Sequence, residues 1–241
     1  MDDFLGFEDP TTAKAYGKYL KLDTGDSTLG GSPEIGGALK LLVTTDNEDC
    51  GIKLGDATSA PFVIPAASSS GKKLWFEARV KKSVITDSYG GFFVGLADET
   101  ALAADFIADG GADFADNDLL GFWGDETDDT LGSHVHIVTQ KTGVAFDTIK
   151  DTAATLVADT YVKLGMKYDP NAEAGKKITF YVDGVDVGTY VGEDEGDATV
   201  YLGDTTNFPG GEEMAPICYL SAASGNDLSL YMDWWAVAQE R

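Results

Sequence analysis

The chain has 241 residues, with 41 acidic and 17 basic side chains and a formal net charge of −24. That balance excludes nucleic-acid binding through the overall field, because phosphate contacts need Lys and Arg, and it disfavours anionic membrane surfaces. Hydrophobic residues make up 43%, enough for a core, and 29 Gly against 7 Pro suit many short strands joined by tight turns.

The charge has two readings: solubility and self-avoidance, or a surface for cations or a basic partner. Two cysteines, Cys50 and Cys218, cannot make a disulfide framework and form no CxxC knuckle. They are either one bridge or two small buried apolar groups. The start, Met-Asp-Asp-Phe, has no basic or apolar leader region, and no apolar run reaches membrane-span length. The expectation is synthesis in a cytoplasm.

Residues 1–34 mix Phe4, Phe7, Tyr16 and Tyr19 with Gly, Asp and Thr and show no sustained period. They read as an extended N-terminal arm or an edge segment, since disordered termini usually lack aromatics. Alternation begins with a strand at 38–43, ended by the acidic turn 45–49. Residues 65–72 form a small-residue loop. In 74–81, Leu74, Phe76, Ala78 and Val80 alternate with Trp75, Glu77, Arg79 and Lys81, which gives one apolar and one polar face. Residues 91–96 are apolar on both faces, as in a central strand. Residues 100–109 predict the one short helix, with Thr100 as cap and Gly110-Gly111 as stop.

Strands follow at 119–123, 135–138 and 162–168, the last with Lys163, Gly165 and Lys167 on one face. The run 177–182 leads into Asp183-Gly184 and then Val185–Val191, a strong hairpin signal because both turn residues must accept positive φ. Two late strands, 217–222 and 228–237, close the series. In the second, strict alternation puts Leu228, Leu230, Met232, Trp234 and Ala236 on one face and sends Trp234 and Trp235 opposite ways. Ten to twelve strands and at most two short helices predict an all-β jelly-roll sandwich of two antiparallel sheets over 35–241.

LWFEARVKKS, KKITFYVDGVDVGTY and LSLYMDWWAVAQ resemble the early strand, late hairpin and closing strand of the concanavalin-like lectin/glucanase superfamily. More narrowly, TTDNEDCGIKL, LWFEARVKKS and FFVGLADE resemble structural proteins of tailed-phage virions that carry this fold. The likeness spans roughly 38–241 and marks a fold rather than a reaction.

Retaining glucanases of this fold carry Glu-x-Asp-x-Glu on one strand, so that two carboxyls stand about 5–5.5 Å apart. No such run occurs, and no catalytic residue is expected. The nearest acids, Asp125-Glu126-Thr127-Asp128-Asp129, lie in a Gly-flanked polar stretch that reads as a turn. His134 and His136 share a strand face and would need Asp125 or Asp128 to complete a zinc site. Calcium is the better-suited ion, with Asp113, Asp116 and Asp118 as candidate oxygen ligands and 193–197 as a second acidic loop. Trp75, Trp123, Trp234 and Trp235 are the aromatics available for sugar stacking or for contacts between subunits.

The resemblance implies a non-enzymatic virion protein that decorates or cements a tailed-phage capsid. It would bind capsid protein or further copies of itself, with Phe4, Phe7, Tyr16 and Tyr19 as anchors. The alternative is a carbohydrate-binding module on a phage tail or fibre. Neither reading involves nucleic acid or membrane, and the expected setting is the virion after synthesis in the host cytoplasm.

Overall fold

The computed structural model describes residues 19–32, 37–64, 72–86, 89–108, 113–124, 133–172, 177–190 and 208–240. These form fifteen strands and no helix. In chain order the strands are β1 (Tyr19–Asp23), β2 (Thr28–Ser32), β3 (Ala38–Val43), β4 (Asp49–Leu54), β5 (Phe62–Val63), β6 (Leu74–Lys82), β7 (Phe92–Ala97) and β8 (Leu119–Gly124). They continue with β9 (His134–Gln140), β10 (Asp147–Thr155), β11 (Val162–Tyr168), β12 (Ile178–Val182), β13 (Val185–Tyr190), β14 (Glu213–Ser221) and β15 (Leu228–Gln239).

Two antiparallel sheets stack as a sandwich. One has eight strands in the order β1-β4-β14-β7-β8-β9-β10, with β5 beside β14; the other has seven in the order β13-β12-β11-β6-β15-β3-β2. The alternation read from sequence decides which side chains meet between them. Phe76, Val80, Leu164, Met166 and Phe180 of the second sheet pack against Phe92, Val94, Leu96, Phe122 and Ile137 of the first. Phe122 and Phe180 meet edge to face across the layers, ring centres 5.6 Å apart. Cys50 and Cys218 are free thiols buried in this core. Burial raises the Cys218 pKa, with Cys50 adding to the rise, so it is an inert apolar group.

Three sequence expectations change. First, of the two readings of the N-terminal stretch, residues 19–32 follow the edge segment and not the arm: they form β1 beside β4 and β2 beside β3, each at the edge of its sheet. Tyr19 is buried against Trp235, ring centres 5.9 Å apart, and is not available as an external anchor. Phe4, Phe7 and Tyr16 lie outside the described residues.

Second, the expected helix from residue 100 is absent. The Asp98 carboxylate accepts hydrogen bonds from the Thr100 amide and hydroxyl, and Asp105 sits at φ 59°, which an α-helix cannot include. The apolar residues Ala101, Leu102, Phe106 and Ile107, spaced as a helix would space them, pack instead onto the outer face of the eight-stranded sheet.

Third, β15 bulges at Asp233: Met232 pairs with Val80, and Trp234 with the next residue, Arg79. The extra residue reverses the facing of everything after it. Trp235 goes into the core and Trp234 and Ala236 turn outward, opposite to the strict alternation. The pair still splits between faces, as expected.

The Asp183-Gly184 hairpin forms as the sequence predicts. Both residues have positive φ, 51° and 79°, joining β12 to β13.

Candidate binding face

Side chains that leave the core of a strand must go to the outer face, and the two sheets use theirs differently. On the eight-stranded sheet the outer face is closed. Phe93, Leu119, Trp123, Val138, Ile217 and Tyr219 point outward and are buried by Ala101, Leu102, Phe106, Ile107, Phe114 and Phe146. Phe106 sits at the centre, its ring 5.4 Å from Phe93, 5.5 Å from Phe114 and 5.2 Å from Tyr219. Its amide donates to the Tyr219 hydroxyl, which donates to the Ala103 carbonyl.

Gly95 and Gly121 face each other under the Phe93 ring, where a β-carbon on either would come within 3.0 Å of the ring tip. Lys53, fully buried, clips the chain from below by donating to the Asp56 and Glu99 carbonyls at 2.7 and 2.5 Å. Burial lowers its pKa, while Asp98, Glu99 and Asp56 oppose the fall. Strands β7, β8 and β9 at the middle of this sheet carry no Asp or Glu. The paired acids that glycoside hydrolysis needs are absent from them.

The seven-stranded sheet keeps its outer face open. Its cross-strand register sets side chains in rungs. Lys167 stands opposite Trp75, Gly165 opposite Glu77, and Lys163 opposite Arg79. On the other side of β6, Trp75 faces Ala238, Glu77 faces Ala236, and Arg79 faces Trp234. Tyr181 stands opposite Gly165 from β12. Three small residues in the strands on either side of β6 (Gly165 in β11, Ala236 and Ala238 in β15) therefore leave room for a groove of about 510 Å³, lined also by Trp75, Tyr181, Lys163, Lys167 and Glu77. Trp75 is 37% exposed, a large apolar ring held at the rim.

Beyond the groove, cations and rings alternate. Arg79 lies over Tyr161 at 4.2 Å, Lys81 over Tyr231 at 4.5 Å, and Lys40 over the far side of Tyr231 at 5.8 Å. Arg79 also pairs with Asp233, the bulge residue, and Lys163 lies 3.9 Å from Glu77.

The calcium candidates do not converge. The Asp113 carboxylate accepts from the Phe114 amide, Asp116 from the Gly143 amide, and Asp118 from the Thr142 amide and hydroxyl. Each is spent on a turn, and among the described residues no three His, Cys, Asp or Glu side chains gather as a metal site. Burial raises the Asp118 pKa, against the hydrogen bonds from Thr142, with Glu212 and Asp98 adding to the rise. Of the three candidates only Asp118 lines the neighbouring polar pocket of about 310 Å³, together with Asp98, Glu99, Glu212 and Glu213.

His134 and His136 do share a face, ring centres 6.5 Å apart, and His136 Nδ1 lies 2.7 Å from Asp151. Asp151 is a partner the spacing alone did not supply. Residues 125–129 and 193–197 lie outside the described residues.

The architecture is that of the concanavalin A-like lectin/glucanase fold, and solved structures place it there. The carbohydrate recognition domain of Emp47p superposes with a TM-score of 0.59 at 10% identity, over 98% of this chain and 95% of that one. Peanut lectin gives 0.58 at 15% identity, over 95% and 94%. An endo-β-1,4-glucuronan lyase from the fungus Trichoderma reesei gives 0.57 at 13%, over 96% and 94%. No protein-family model matches the sequence, and no curated protein matches it. At these identities the likeness is one of fold, shared by lectins and lyases alike.

The groove was only partly visible in sequence. The polar face of β6 and the Lys163, Gly165, Lys167 row were readable from alternation. That Ala236, Ala238 and Tyr181 complete the same surface depends on register and on the β15 bulge, which no local pattern announces.

Proposed function

We propose that the chain is a non-enzymatic carbohydrate-binding protein whose working surface is the outer face of the seven-stranded sheet. One observation carries this reading: Trp75 rises from the middle strand between Lys167 and Ala238, Tyr181 stands beyond Gly165, and Lys163, Lys167 and Glu77 line the same groove. A sugar ring offers an apolar face and a polar rim. A groove lined by rings and hydrogen-bonding side chains matches both. Lectin relatives of the fold support a glycan ligand in general terms. Among the described residues Glu77 is the one carboxylate in the groove lining, which gives no support to hydrolysis by an acid pair there.

The test is a glycan array followed by titration of the strongest hit with the wild type and Trp75→Ala. The stacking platform is expected to supply about 2 kcal/mol, so the variant loses roughly thirtyfold in affinity. The wild type should release no new chain ends from that glycan. Unchanged binding by Trp75→Ala, or product release, contradicts the reading.

A second reading places the protein in a tailed-phage virion, made in the host cytoplasm and attached to capsid protein as a decoration or cement protein. Its support is the sequence likeness of TTDNEDCGIKL, LWFEARVKKS and FFVGLADE. These stretches contain the framework strands β4, β6 and β7 rather than a reactive site. Co-sedimentation of the purified protein with phage particles tests it, and its absence from the particle fraction overturns it.

A further inference from the structure

Across the whole chain acids outnumber bases 41 to 17. On the outer positions of β3, β6, β11 and β15 the ratio inverts. Lys40, Arg79, Lys81, Lys163 and Lys167 stand there against Glu77 and Asp233. Asp233 is taken by Arg79, and Glu77 reaches Lys163 only at 3.9 Å. Lys167, on the groove wall, makes no ion pair among the described residues.

Random placement in so acidic a chain gives an acidic face. A basic one has a local cause, and electrostatic complementarity names it as an anion. Resting on the glycan reading, we propose that the ligand of this face is a polyanionic polysaccharide, one that carries a carboxylate or sulfate on its repeating units.

The spacing suits a chain rather than a single charged sugar. Lys163 and Lys167 are four residues apart on one strand, about 13 Å, and Lys40 lies three strands across the sheet from the strand of Lys163, about 14 Å measured perpendicular to the strands. No monosaccharide spans both distances, whereas successive units of a polymer meet each cation in turn. Tyr161, Tyr231, Trp75 and Tyr181 lie among these cations and supply ring faces for the units themselves.

Nucleic acid is the other polyanion with stackable rings, but its charge density decides against it. A duplex carries one charge per roughly 1.7 Å, and the chain's net charge of −24 opposes it far more than a polymer with one charge per sugar.

The experiment is calorimetric titration of the full chain with oligouronate and with neutral oligoglucan of equal length, at 50 and 300 mM NaCl. Single-stranded oligonucleotide is a third arm, and Lys163→Gln/Lys167→Gln is the variant. Sedimentation velocity runs alongside. The expected result is at least tenfold tighter binding of the oligouronate at low salt. That preference should fall several-fold at high salt and vanish in the variant, which keeps its melting temperature.

Equal affinity for charged and neutral sugars overturns this inference and leaves the glycan reading standing. Binding of neither sugar overturns both. Tighter binding of the oligonucleotide overturns the inference in favour of nucleic acid. Self-association lost in the variant, with no sugar bound, assigns the face to protein contacts instead.

Discussion

Glu48 shows how much one side chain can do at a strand junction. It is 3% exposed, and its carboxylate accepts from the Thr44 amide at 2.7 Å, the Thr45 amide at 3.0 Å and the Asp26 amide across the sandwich edge. Burial pushes its pKa up, but these donors outweigh that and hold it lowered, at about 2. Because the folded value lies below the unfolded value near 4.5, Glu48 stabilises the fold fully above pH 4.5. That contribution fades as pH falls towards 2. Glu48→Gln should therefore cost on the order of 2 kcal/mol at pH 7 and flatten the loss of stability between pH 4.5 and 2. Urea melts of both proteins at pH 7, 4.5 and 3 check this, and parallel pH curves would contradict it.

The role of Glu48 could not be read in the sequence, where it sits in an acidic turn that looks solvated. Only the return of the chain through Asp26 buries it. Trp75 was legible as a ring on a polar strand face, because alternation fixes facing locally. Tyr19 was not, because β1 pairs with a strand about thirty residues away.

At the scale of elements, strands that alternate cleanly were readable almost to the residue: β3, β6, β11 and the β12–β13 hairpin. Elements defined by what they cover were not. Residues 101–107 have helical spacing of apolar residues, yet they lie on the sheet because an apolar sheet face needs covering and Asp105, at positive φ, breaks the helical path. Likewise β10 is mostly polar, and edge strands of that kind give no period-2 signal.

The covering role of residues 101–107 and Phe114 has a direct consequence. Phe106→Ala removes a fully buried ring at the centre of the second cluster and should cost roughly 3–4 kcal/mol. Thermal and denaturant unfolding measure the loss. If the segment were a loose lid, the variant would melt within a degree of wild type.

On the whole-molecule scale, the sandwich divides its labour between two outer faces. One is sealed with aromatics and lacks acids on its central strands. The other is open, ring-studded and basic on an otherwise acidic body. Composition exposed only the sum of charges. Their segregation emerges when four strands distant in sequence lie side by side. The measurement that reaches the centre of this account is an amide chemical-shift titration of the labelled protein with the best oligosaccharide ligand. The account predicts the largest shifts at Trp75, Glu77, Gly165, Lys167 and Ala236, with the 98–118 segment unmoved. Shifts concentrated on 98–118 and the strands beneath it, with the β6–β11–β15 face silent, would contradict it.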